Sequence, residues 1–290
     1  MKSKNILWIG RVLATPGAVR SVYIADLNND SLTDVLAGVD FPDPDRIEWY
    51  QNEGPIPVFT DFAALQVVAN VDWVKSKTTL ARATINSLPN DVVTVSVYLN
   101  DTFMNSSGAT LDSSGNGIVD VFFTPDVAGT NLVLRAEVVN AQGKNSTTTR
   151  TVNVVETRDL NIVFVPVDNP SNFGQTVADS VDFMQRTYPL RDDGINVIPT
   201  SQINTNSGDS IPLVIFNVYR KALISGQFST RKDKAIGIVP QGWFFSKYGL
   251  DFAGVTPNLG KFVLNIVIAE EGYRHVVAHE IGHTYGLCDE

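Results

Sequence analysis

Two neighbouring stretches, GKFVLNIVIAE (residues 260–270) and HVVAHEIGHTYGLCDE (residues 275–290), decide how the C-terminal part of this chain is read. The first is an apolar, β-branched run that reads as a strand. The second has helical spacing: Val277, Ala278, Ile281 and Tyr285 form an apolar stripe that would fix a helix against a core. His279 and His283 stand four residues apart, on one face and one turn apart. Working backwards, LNIVFVPV (160–167) and KAIGIVP (234–240) read as strands. GQTVADSVDFMQRTY (174–188) carries Val177, Val181, Met184 and Tyr188 at helical spacing and is stopped by Pro189. IPLVIFNVYRKALISG (211–226) repeats the pattern through Ile211, Val214, Val218 and Leu223, with Pro212 tolerable in a first turn. Interleaved strands and helices predict an α/β domain over residues 157–290.

The preceding region has a different texture. Over 73–156, the segments DVVTVSVYLND (91–101), GIVDVFFTPD (117–126), TNLVLRAEVVN (130–140) and TTTRTVNVVE (147–156) are strand-like and separated by Gly, Asn, Ser and Asp turns. That spacing predicts an immunoglobulin-like β-sandwich. Residues 1–72 form a third region, a β module in which Val22, Ile24, Val35 and Leu36 suggest strands flanking an acidic loop, and 52–54 a turn. At 290 residues the chain accommodates this division into three. The fold class is therefore multidomain: a β module, an Ig-like β-sandwich and an α/β domain.

Composition narrows the partners. A formal net charge of -9 argues against nucleic acid or an anionic membrane surface. No apolar run is long enough to span a bilayer. MKSKNILWIGRVLATPGA (1–18) begins like a signal peptide, but Arg11 interrupts its apolar stretch. One cysteine, Cys288, excludes an internal disulfide framework and suits a cytosolic protein or a bridge-free exoprotein. Cys288 reads as a buried residue or half of a disulfide rather than a nucleophile, because no dedicated base accompanies it.

The chemistry gathers at the C-terminal helix. Glu280 follows His279 and is rotated by about 100° from it, so it cannot share the histidine face but can reach a water beside it. This is the H-E-x-x-H arrangement, in which the two histidines bind Zn2+ and the glutamate is the general base. A catalytic zinc commonly takes a third protein ligand. Gly286, three residues after His283, can turn the chain and bring Asp289 back to the metal. All three histidines of the chain fall between 275 and 283. His275 lies two turns from His283, about 12 Å by helical rise, so it reads as a residue that supports the ligands from behind or faces solvent. Tyr285 reads as core.

The pattern H-E-x-x-H-x-x-G-x-x-D resembles the metzincin metalloproteases, in the variant whose third ligand is aspartate. The resemblance implies His279, His283 and Asp289 as zinc ligands, Glu280 as base, Gly286 as turn residue, and a protein or peptide substrate. It further implies that the strand GKFVLNIVIAE is an edge along which an extended peptide lies. Metzincins carry a methionine turn after the third ligand, whereas Met1, Met104 and Met184 all precede it here. The expectation is that such a domain continues beyond Glu290.

The loop DLNNDSLTD (26–34) places Asp26, Asn28, Asp30 and Asp34 as oxygen donors, a set that suits Ca2+. With RIEWYQNEG (46–54) it resembles an FG-GAP or VCBS repeat, with Ser31 where such loops have glycine. A solvated acidic turn is the alternative. The expected function is a secreted or cell-surface zinc endopeptidase. The alternatives are an adhesion protein that contacts surface or matrix components through a structural metal site, and a metal-dependent hydrolase of a non-peptide bond.

Overall fold

The computed structural model describes residues 8–10, 18–27, 29, 32–40, 46–52, 54–67, 71–226, 233–259, 262–263 and 265–285. The chain forms two compact units. One comprises residues 1–65, 79–125 and 129–153; the other comprises 66–78, 126–128 and 154–290. The molecule is β-rich and contains several separate sheets. Among the described residues no helix is long and apolar enough to cross a membrane.

The first unit opens with an antiparallel sheet of β1 (Trp8–Gly10), β2 (Ala18–Ala25), β3 (Asp34–Asp40) and β4 (Arg46–Asn52), ordered β1-β4-β3-β2. Strands β2 and β3 flank the acidic loop. Next along the chain come β5 (Val58–Leu65), β6 (Trp73–Val74), β7 (Thr79–Asn86), β8 (Val92–Leu99), β9 (Thr102–Thr110), β10 (Asn116–Phe123), β11 (Gly129–Asn140) and β12 (Asn145–Val155), of which β6 and the last two residues of β12 belong to the second unit. They form one sheet ordered β10-β7-β5 and another ordered β6-β12-β11-β8-β9. Alternation does the work here: Ala81, Ala83 and Ile85 of β7 are buried, as are Val93, Val95, Val97 and Leu99 of β8. Each of these strands thus turns one face inward and the other outward. β5 pairs with β7, so residues 58–65 belong to this pair of sheets.

The second unit is layered differently. Its strands are β13 (Leu160–Pro166), β14 (Ile195–Pro199), β15 (Lys234–Val239), β16 (Gly254–Val255) and β19 (Ile266–Glu270), with a separate pair β17 (Asn258–Leu259) and β18 (Phe262–Val263). The main sheet runs β14-β13-β15-β19-β16, parallel except for the antiparallel edge β16. All residues of β15 and β19 are buried. Parallel strands covered on both faces read as unbroken apolar runs, which is why these did.

Helix α1 (Phe173–Thr187) and helix α4 (Arg274–Thr284) cover one face, where Met184, Val277 and Ile281 pack with Ile162, Phe164, Ile236 and Val267. Helix α2 (Ile211–Ile224) and helix α3 (Trp243–Tyr248) cover the other through Val214, Val218 and Phe244. Two consecutive buried carboxylates fasten the layers together. Glu270 accepts hydrogen bonds from Gly242 N (2.9 Å) and Phe244 N (3.1 Å), capping α3. Glu271 accepts from Ser171 N, Ser171 Oγ and Asn172 N, capping α1 on the opposite face.

Three expectations are corrected. GKFVLNIVIAE is neither one strand nor an edge: it divides into β18 and β19, and β19 lies inside the sheet between β15 and β16. Five consecutive buried residues require cover on both faces, so the edge position falls to the two residues of β16. Leu223 is exposed, because Ala222 occupies the buried position of the last α2 turn. Tyr285 is 61% exposed rather than core, because it is the C-cap residue where the helical face no longer repeats.

Candidate metal centre

Helix α4 is amphipathic in an unusual sense. Val276, Val277, Ala278 and Ile281 are buried against the sheet and α1, and Glu280, Gly282 and Thr284 are buried with them. His279 is exposed and His283 half-buried. Tyr188, just past the end of α1, donates its hydroxyl to Ala278 O at 2.7 Å and so ties α4 to its neighbour. Burial, and secondarily the nearby Tyr285, push the Tyr188 phenol well above its ordinary pKa, so it remains a donor.

The i, i+4 spacing delivers what it promised. His279 Nε2 and His283 Nε2 lie 3.0 Å apart, with ring planes at 87° and centroids 4.6 Å apart. A tetrahedral zinc with Zn–N bonds of about 2.0–2.1 Å separates two ligand nitrogens by about 3.3 Å, so this pair fits one ion with a small adjustment. Among the described residues, His279, Glu280 and His283 form a group whose ligand atoms all lie within 4.8 Å of one another. Gly286, Cys288 and Asp289 lie outside the described residues, and so does the third-ligand assignment. His275 is exposed and stands edge-on to Tyr273, with ring centroids 6.5 Å apart.

Glu280 is only 7% exposed and occupies a slot made by the edge strand. Thr256 Oγ1 is 2.7 Å from Glu280 Oε2 and also 2.7 Å from Glu280 O. Gly254 has no Cβ, and one built there would stand 2.8 Å from both Cγ and Oε1 of Glu280. Sequence reasoning missed Gly254 and Thr256. They sit in an unremarkable turn-rich segment, and only the pairing of β16 with β19 brings them to the helix.

On the other flank of the histidines runs a groove of about 550 Å³ whose lining includes Tyr188, Leu190, Ala278 and Gly282 as well as both imidazoles. At the foot of α4 the Lys234 ammonium lies over the Tyr285 ring, 4.0 Å from its centroid, and donates to Asn265 Oδ1 at 2.7 Å. Burial pulls the Lys234 amine down to about 8.

The acidic loop is less convergent. Asp34 is fully buried at the start of β3, and its oxygens accept from Leu27 N (3.1 Å) and Asn52 N (2.8 Å). Asp26 is exposed; Asn28 and Asp30 lie outside the described residues. The Asp34 carboxylate thus closes the loop onto the end of β4.

Neither a protein-family model nor a curated protein matches the chain. Solved structures resemble parts of it weakly. A CARDB domain of the PF1109 protein from Pyrococcus furiosus, in complex with di-metal ions, is 17% identical over 34% of this chain and 90% of that one, with a TM-score of 0.26. Superoxide reductase from Ignicoccus hospitalis is 9% identical over 35% and 82%, at 0.23. A chaperone–substrate complex is 12% identical over 56% and 27%, at 0.29.

Proposed function

We propose that this chain is a zinc-dependent endopeptidase of metzincin type, carried with an FG-GAP-like β module and an Ig-like sandwich in a secreted or cell-surface protein. One observation carries the reading: two imidazole nitrogens 3.0 Å apart on one helix, with a nearly buried carboxylate beside them. That carboxylate stands within 4.8 Å of both imidazole nitrogens, close enough to act on a water held between them.

His279 and His283 would hold the zinc, with Asp289 as the third ligand implied by the motif. When bound, zinc polarises the scissile carbonyl and brings the pKa of a bound water down towards ~7. The Glu280 carboxylate accepts the proton of the attacking water at one oxygen and later passes it to the leaving amine. Its burial excludes bulk water, which strengthens every charge interaction it makes. An extended peptide would pair with β16, the antiparallel edge adjoining Glu280, in the manner of an added strand. The β-rich modules serve as spacer or adhesive elements, and Ca2+ in the 26–34 loop is part of the same proposal, testable as a calcium-dependent rise in melting temperature.

The decisive experiment measures zinc stoichiometry and peptide cleavage for the wild type and Glu280→Gln in a protein that includes Asp289. The expected result is one zinc in both and cleavage reduced by ~10²–10⁴ in the variant. Zinc bound without cleavage of any peptide in the wild type would favour the adhesion reading. No stoichiometric zinc would refute both.

A further inference from the structure

The geometry points to Thr256 as a positioning residue that aims the Glu280 carboxylate at the histidine pair, with Gly254 opening the space in which it is aimed. The inference rests on the reading of Glu280 as general base, and it concerns how the fold orients that base.

The argument starts from freedom. A glutamate side chain has three rotatable bonds, and helix α4 fixes only the first atoms of Glu280. Helical spacing puts His279 and His283 on one face, whereas Glu280, rotated by about 100° from His279, faces the same point only if its side chain is directed there. Strand β16 supplies that direction. The antiparallel pairing Gly254↔Ala269 and Val255↔Ile268 locks this edge to the buried strand β19, and Thr256 follows directly. Its hydroxyl lies 2.7 Å from Oε2, the length of a charge-assisted hydrogen bond. The same hydroxyl is 2.7 Å from Glu280 O, but one proton serves one acceptor at a time. Of the two acceptors, only Oε2 belongs to the side chain that has to be oriented.

A methyl at 254 would stand 2.7 Å from Val276 Cγ1 and 2.8 Å from Glu280 Oε1. A side chain there would push Val276 and Glu280 from the positions they hold. The Thr256 contact and the close approach of the Gly254 backbone together limit where the carboxylate can turn. The edge strand thereby couples the place where a peptide would add to the atom that would take the water's proton.

Three full-length proteins test this: the wild type, Thr256→Val, which keeps the shape and deletes the hydroxyl, and Thr256→Ser, which restores it. Thr256→Ala serves as the hydroxyl-free variant should the valine one fail to fold. Zinc affinity is expected to stay within about threefold throughout, since no ligand is touched. In the valine variant kcat is expected to fall about 10–100-fold with KM within about threefold, and the serine variant should recover most of it. A valine variant with wild-type kcat, or a serine variant as impaired as valine, overturns the inference. Crystal structures of the zinc-free proteins decide independently of turnover. A Glu280 carboxylate displaced in Thr256→Val, with both imidazoles unmoved, supports the role; an undisplaced carboxylate refutes it. Should the zinc-loaded wild type cleave nothing, the peptidase reading fails by itself, and the crystallographic comparison still judges Thr256.

Discussion

Replacing Glu271 by glutamine removes one negative charge and changes one acceptor into a donor at a site that is 4% exposed. Glu271 Oε1 accepts from Ser171 N at 3.2 Å and Ser171 Oγ at 3.0 Å, while Oε2 accepts from Asn172 N at 2.5 Å. The amide oxygen of glutamine can serve one side only; its NH2 then faces a backbone N–H. The N-cap residue of α1, Asn172, makes no side-chain cap of its own, so nothing nearby substitutes for the lost acceptor. One charge-assisted bond contributes about 1.5–3 kcal/mol, and a stranded buried donor costs about 1–3 kcal/mol. Loss of the anion at a helix N-terminus adds about 0.3–1 kcal/mol. These overlap rather than add, and the expected destabilisation is about 2–4 kcal/mol. At about 2–4 °C per kcal/mol for a unit of this size, the melting temperature of the unit carrying α1 should drop by roughly 4–16 °C. Differential scanning calorimetry reads this directly. Glu270→Gln, which uncaps α3 on the other face of the sheet, should destabilise by a similar mechanism. A Glu271→Gln protein melting within 1 °C or so of the wild type would refute the claim that this carboxylate anchors α1.

Other consequences follow from the site. Zinc at about one hundred times its Kd should stabilise the wild type by about 2.7 kcal/mol, seen as a rise in melting temperature that His283→Ala abolishes. Gly254→Ala should destabilise by about 1–3 kcal/mol through its clash with Val276 and Glu280, and a variant as stable as the wild type by urea titration would show the slot to be loose. Lys234 makes a pH prediction. Its folded pKa of about 8 lies below the unfolded value near 10.4, so between those pH values the unfolded chain binds more protons. Stability should therefore rise with pH from about 8 to 10.4, and Lys234→Met should flatten that slope in melting curves.

The zinc-type motif was legible because it is local. His279, Glu280 and His283 lie within five residues, and one helical turn suffices to bring the imidazoles together whatever the tertiary fold. The helices at 173–187 and 211–224 were legible for the same reason, their apolar spacing and flanking prolines being local signals. Strand β9 was missed because TFMNSSGAT is polar and small, and it is held by pairing with β8 rather than by its own pattern. β14 and α3 were missed because neither is long enough to show a period.

Unaided, the amino-acid order determined which segments could be helix or strand, and that one helix presents two imidazoles and a carboxylate. Only the tertiary structure decided which strand is interior and which is edge, where Glu280 is aimed, and that Glu270 and Glu271 cap helices on opposite faces. The physical reason is distance along the chain. Periodicity records what a residue's near neighbours will do, whereas Thr256 meets Glu280, and Ser171 meets Glu271, through pairings across 24 and 100 positions that no local pattern encodes.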